Sequence, residues 1–268
     1  MCCPAGRSLG VMAAQERMSS SHRLFLQKMM AHGCLDIASS VKVHNECCRL
    51  FKEHYAHDQL DAFIGVINSH IQPFFMVIQK GSSEEDGKTH YALINIEQNE
   101  ITLLASDYSE VELELFNKTM ELIVDSGVGM ASSVDILNLV DQLQCKKMKK
   151  DNAELLLQRL VQDKWLCMEN GYLSLSPRCF IEMDPFIRSR FGNVEICYLC
   201  HKIALKGQVC SNCSVKVHAP CSAKFFKRNR SRVCPRCKSP WINEPRDNAR
   251  PVRYDEGKGS TSSDAMEL

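Results

Sequence analysis

The sequence predicts a mixed α+β chain, in which two units of helices and a hairpin precede a small cysteine-rich lobe. Three observations lead there. Amphipathic helical spacings followed by two β-rich runs occur between residues 22 and 96. The same order recurs between residues 110 and 175. The segment from Cys197 to Cys237 then places eight soft metal ligands in four pairs: Cys197 and Cys200, Cys210 and Cys213, His218 and Cys221, Cys234 and Cys237.

Residues 1–20 show no sustained period and read as a flexible lead-in. From His22 to Ala31 the pairs Phe25/Met29 and Leu26/Met30 lie four apart, which predicts a short helix ending near Gly33. A weaker helical stretch covers about Asp36 to Val43. Asp58 reads as the N-cap of a third helix carrying Leu60, Phe63, Ile64, Ile67 and Ile71. The runs Phe74–Gln79 and His90–Ile96 are rich in aromatic and β-branched residues and flank a polar turn, so they predict a hairpin. Three helices and a hairpin make the pattern of a winged helix, here over residues 21–105.

The second copy spans 106–176. Leu113, Phe116, Met120 and Ile123 mark a helix from about Glu110 to Val124, broken at Gly127 and Gly129. Ser133 is placed to cap a second helix with Ile136, Leu137, Val140 and Leu143, and a third runs from about Lys150 to Gln162. Trp165–Met168 and Tyr172–Leu175 flank Asn170-Gly171, a dipeptide suited to the positive φ angles of a type I′ turn. Ser176-Pro177 has the cap-then-proline signature of a further helix to about Arg190, a linker within 177–196 that Pro185 is expected to kink or end early. The tail, 242–268, is polar and reads as disordered.

The chain carries a net charge of +1 over 268 residues, so it is no polycation. Of its fifteen cysteines, seven lie in the ligand cluster and the rest have no matched spacing, which points to a reducing compartment and not to a disulfide framework. No run approaches the roughly 18–20 apolar residues of a membrane span, and no membrane contact is expected.

Two residues separate the members of every ligand pair, a spacing that lets a tight turn aim both donors at one tetrahedral Zn²⁺. Four pairs make two structural zinc sites, each closed by four protein ligands with no position left for substrate. The pairs can be used sequentially, as in a zinc ribbon, or interleaved. Their order resembles the RING and plant-homeodomain group, whose cross-brace interleaves them. The resemblance implies Cys197, Cys200, His218 and Cys221 on the first zinc and Cys210, Cys213, Cys234 and Cys237 on the second. Residues 197–241 contain ten Lys or Arg and no Asp or Glu, which argues against a reader of basic histone tails. Arg232 also stands where a plant-homeodomain finger usually has Trp. The segment is therefore identified as a RING-type variant over 197–241. By that resemblance Leu199, Phe225, Phe226 and Pro235 form a docking surface for a ubiquitin-conjugating enzyme. Lys238 takes the place of the cation that bridges ubiquitin and that enzyme.

Tandem winged helices followed by this zinc domain, with the segments Ile136–Leu143 and Cys197-Tyr198-Leu199-Cys200-His201, resemble the non-SMC element 1 family, subunits of the five/six type of structural-maintenance-of-chromosomes complex. That resemblance implies a nuclear, chromosome-associated, RING-type ubiquitin ligase acting in DNA repair by homologous recombination. Its partners would be a MAGE-type winged-helix subunit, a kleisin subunit and the SMC five/six heterodimer. His218 as the fifth ligand, and Lys238 where the RING pattern more often has Arg, depart from the common pattern, and the expectation is therefore of activity that needs the MAGE partner. A purely architectural subunit is the alternative. DNA is a weak further candidate, through Lys146–Lys150 or the basic run Lys224–Arg232.

Overall fold

The structure is a computed structural model that describes residues 17–56, 58–96, 108–192, 194–229 and 231–242. The expected lead-in over 1–16, the end of the first unit over 97–105 and the tail over 243–268 lie outside the described residues. The last residues of the lead-in are held in place. The Glu53 carboxylate accepts hydrogen bonds from Ser19 Oγ at 2.9 Å and Ser21 Oγ at 2.5 Å, and the first helix already begins at Ser20.

The first unit runs α1 (Ser20–His32), β1 (Cys34–Asp36), α2 (Ile37–Leu50), α3 (Leu60–Ile71), β2 (Met76–Ser82) and β3 (Thr89–Asn95). Its antiparallel sheet has the order β1-β3-β2. Three differences from the sequence reading have physical causes. Helix α2 continues to Leu50 because Val43 and Cys47 face the core and Asp36 caps the start by accepting from Ser39 N at 2.7 Å. Gln59 and not Asp58 is the N-cap of α3, with no side-chain cap bond; Asp61 in the first turn instead accepts from Tyr91 Oη at 2.6 Å and Lys80 Nζ at 2.7 Å. Phe74 belongs to a short 3-10 turn that ends at Phe75, whose φ of 58° breaks the extended path, so β2 starts at Met76.

The second unit repeats the plan with α4 (Glu110–Asp125), β4 (Ala131–Ser132), α5 (Ser133–Asn138), α6 (Lys150–Gln162), β5 (Leu166–Glu169) and β6 (Tyr172–Leu175), and its sheet order is β4-β6-β5. The cap of α5 is Ser132, one residue before the expected Ser133, and Ser132 Oγ accepts from Asp135 N at 3.0 Å. Asn170 and Gly171 take φ values of 51° and 82°, the two positive angles that a type I′ turn needs. The fold is α+β, with two units, each of helices and a three-stranded antiparallel sheet, before a cysteine-rich lobe. Among the described residues no helix is long and apolar enough to cross a membrane.

Helix α7 (Pro177–Arg190) runs through Pro185 without ending there, and it does more than link. Cys179, Met183 and Ile187 enter the core of the second unit, while Ile181 packs against Ala92 and Ile94 of the first sheet. Arg178 stacks over the Trp165 ring at 4.2 Å and donates to the Asp163 carbonyl at 2.7 Å. Beside it, the Glu182 side chain is only 5% exposed and accepts from Asn95 N at 3.4 Å and from Arg178 Nε at 3.4 Å. Burial raises the Glu182 pKa against the pull of Arg178. The close approach of helix and sheet requires Gly81, where a Cβ would collide with Cγ1 of Ile181.

That contact is testable. Gly81→Ala should destabilise the chain by about 1–3 kcal/mol in chemical denaturation, the usual range for overpacking. Combining it with Ile181→Ala should cost less than the two single changes added, because the second opens the space that the first overfills.

Candidate metal centre

The lobe contains β7 (Gln208–Val209), β8 (Lys216–Val217) and α8 (Ala219–Arg228). Its ligand pairs are shaped by a repeated backbone device. Cys197 N donates to Lys202 O at 2.9 Å, Cys210 N to Val215 O at 2.9 Å and Cys234 N to Ser239 O at 2.8 Å. In the same three loops His201, Ser214 and Lys238 take φ values of 59°, 55° and 61°, and each N–H returns to the carbonyl of the first cysteine. A non-glycine residue in that left-handed region costs about 1–2 kcal/mol, a strain that something at the loop must offset. The remaining pair, third in the chain, differs. His218 is the N-cap of α8, and Cys221 sits in its first turn.

These four turns interleave. Cys197, Cys200, His218 and Cys221 gather into one group and Cys210, Cys213, Cys234 and Cys237 into another, with the donor atoms of each group within 4.8 Å of one another. In the second group Sγ of Cys210 and Cys237 are 3.7 Å apart, and those of Cys213 and Cys234 are 3.6 Å apart. Four sulfurs on a tetrahedral zinc, at Zn–S of about 2.3 Å, stand about 3.8 Å from each other, so the donor set fits. In the first group His218 Nδ1 lies 3.3 Å from Cys200 Sγ and 3.8 Å from Cys221 Sγ. His201, the neighbour that offers an alternative imidazole, is exposed and outside both groups.

The electrostatics also favour a cation. Ser239 Oγ, 2.8 Å from Cys237 Sγ, together with the Ser239 N–H, holds that thiol down at about 5. Burial opposes ionisation of Cys197, but backbone N–H groups, that of His218 foremost, bring it to about 7. Burial and the neighbouring Cys200 and Cys197 push Cys221 up to about 12. A packed set of thiolates repels itself, and a divalent ion removes that repulsion. Zinc with four such ligands would close the lobe and activate no water.

The residues of the expected docking surface are placed unequally. Phe226 turns inward, with its ring centroid 5.8 Å from that of Trp241. Phe225, Leu199 and Pro235 are half-buried. Lys238 is exposed, and its Nζ donates to the Pro235 carbonyl at 3.0 Å.

A family model described as Nse1 non-SMC component of SMC5-6 complex matches residues 22–183. The chain belongs to the Nse1 family. A second model, described as RING-like domain, matches residues 197–237. The chain is 49% identical to the non-structural maintenance of chromosomes element 1 homolog of Xenopus laevis over 230 residues, 85% of each protein. It is 41% identical to the Homo sapiens homolog over 228 residues, which cover 85% of this chain and 86% of that one. Among solved structures, a chain of an Nse1-Nse3-Nse4 complex superposes with a TM-score of 0.78 at 48% identity, covering 85% of this chain and 99% of that chain. The RING-like domain of this Nse1 family member has two Cys/His clusters, each able to hold a zinc ion.

Sequence reasoning missed the groups that support these clusters. Ile203 and Leu205 leave the lobe and join the core of the second unit. Lys216 is buried, donating to Glu195 at 2.5 Å and to the Leu205 carbonyl at 2.9 Å. Glu84, from the turn of the first hairpin, reaches His218. In the sequence all four sit in ordinary polar or apolar surroundings, and no local signal marks them.

Elemental analysis of the purified chain should find two zinc ions. Their removal by a chelator should abolish amide-exchange protection across 197–241 while the α4 and α6 amides stay protected. The loss is large because each structural zinc supplies on the order of 10 kcal/mol of apparent folding free energy.

Proposed function

We propose that this chain is the RING-type ubiquitin ligase subunit of an SMC five/six complex. The observation that carries this reading is the pair of interleaved ligand groups in a RING-like domain that sits, in an Nse1 family chain, behind two winged-helix units. A domain of this kind has no nucleophile to offer. It would recruit a ubiquitin-conjugating enzyme and hold the thioester-linked ubiquitin in a reactive pose, so the rate gain would come from positioning. The eight cysteine and histidine ligands would keep the surface rigid. Leu199, Phe225 and Pro235 are the half-buried apolar groups suited to contact the enzyme, with Phe226 supporting Phe225 from beneath at a centroid distance of 5.6 Å. Lys238 would contribute the bridging cation once its ammonium leaves the Pro235 carbonyl.

By likeness to the chain of the Nse1-Nse3-Nse4 complex, the partners proposed here are an Nse3-type MAGE subunit and an Nse4-type kleisin, and through them the SMC heterodimer. The work proposed for the assembly is DNA repair by homologous recombination and chromosome maintenance in the nucleus. The proposed domain limits are those read from the sequence, with α7 shared between the two winged-helix units. An architectural role is the second reading, favoured by the insertion of Ile203 and Leu205 into the core of the second unit.

A reconstituted ubiquitination assay with the Nse3-type partner separates the two. Combined Leu199→Ala and Pro235→Ala should lower ubiquitin transfer at least tenfold and leave co-purification with the partner intact. Undiminished transfer would remove the docking surface, and loss of assembly in step with transfer would favour the architectural reading.

A further inference from the structure

The wing of the first winged helix, the turn between β2 and β3, lies against the zinc lobe at the first ligand group. Lys206 pairs with Glu85, and Lys202 Nζ donates to Ser82 Oγ at 3.3 Å. A Cβ on Gly87, whose φ is 66°, would come 2.7 Å from Cβ of Pro220, two residues after His218. The wing tip and the start of α8 are thus in direct contact.

At the centre of this contact, Glu84 Oε1 lies 3.1 Å from His218 Nε2 and accepts from Leu205 N at 2.8 Å. The side chains of Glu84 and His218 are only 7% and 6% exposed. The other neighbour of Nε2 is also an acceptor, the Ile203 carbonyl at 2.9 Å. Two acceptors on Nε2 place the hydrogen on this nitrogen, so in the neutral ring that ligates a metal Nδ1 is the bare nitrogen, and it faces Cys200 and Cys221. A carboxylate behind a ligating imidazole fixes its ring, selects its tautomer and makes it a better donor.

We propose that Glu84 is an outer-shell residue of the first zinc site, a positioning residue supplied by the first winged helix to the one imidazole among the eight ligands. Metal affinity at this mixed site, of three thiolates and one imidazole, is therefore tied to docking of the wing. The all-thiolate site is independent of it. Burying a carboxylate at this joint is otherwise costly, and the imidazole N–H and the Leu205 N–H are what satisfy it. The inference rests on zinc occupancy of the lobe and not on ubiquitin transfer.

The full-length chain loaded with ¹¹³Cd²⁺ gives separate resonances for the mixed and all-thiolate sites, so each metal can be followed alone. Glu84→Ala should shift the mixed-site resonance, leave the all-thiolate resonance in place and weaken the mixed site against a competing chelator by about 10–100-fold. Glu84→Gln, which keeps an acceptor oxygen, should lie between Glu84→Ala and the native chain. An unmoved mixed-site resonance in Glu84→Ala, or equal weakening of both sites, overturns the proposal. A native chain that binds fewer than two ions overturns the zinc reading itself.

Discussion

Two groups of four donors, closing on two points, carry the zinc lobe. Its buried apolar cluster consists of Cys197, Ala204, Cys210, Val217, Cys234 and Trp241, so half of that cluster is ligand. Apolar surface stabilises at about 25 cal/mol per Å², and a cluster this small cannot offset the conformational entropy of the segment around it. Coordination replaces a core. The three left-handed residues, His201, Ser214 and Lys238, show the same balance locally: each loop accepts an unfavourable φ in order to aim a sulfur.

The same shortage of apolar mass explains why the lobe does not hang free. Ile203 and Leu205 bury themselves in the second unit, and Arg188 of α7 donates to the His201 carbonyl at 3.2 Å. Helix α7 in turn places Ile181 against one sheet and Ile187 in the other core. Each unit is small, and each shares apolar area with its neighbours. A domain of this size buries a modest fraction of its surface, so shared contacts add stability that none of the three could reach alone.

Much of this was legible in the sequence, for reasons that differ by element. Helix α4 shows through the spacing of Phe116, Met120 and Ile123, and the second hairpin through Asn170-Gly171, because periodicity and turn chemistry are local. The ligand pairs are legible for the same reason, since two intervening residues already specify a turn. Strand β1 is not, because three residues carry no period and its partner, β3, lies more than fifty residues away. Asp58 misled as a cap because its neighbour took the position. The supports of the zinc groups were illegible altogether. Glu84 lies in a run of Ser, Glu and Asp that looks like solvent-facing turn, and only the folded chain shows what the carboxylate faces.

The joint between Glu84 and His218 spans 134 residues of chain. On the ribosome the hairpin leaves the exit tunnel long before its imidazole partner has been polymerised, so that carboxylate spends much of translation solvated. Contacts at such separation are slow to form. The seam between wing and lobe therefore closes only after most of the chain has been made, and it ties an early hairpin to one of the latest segments.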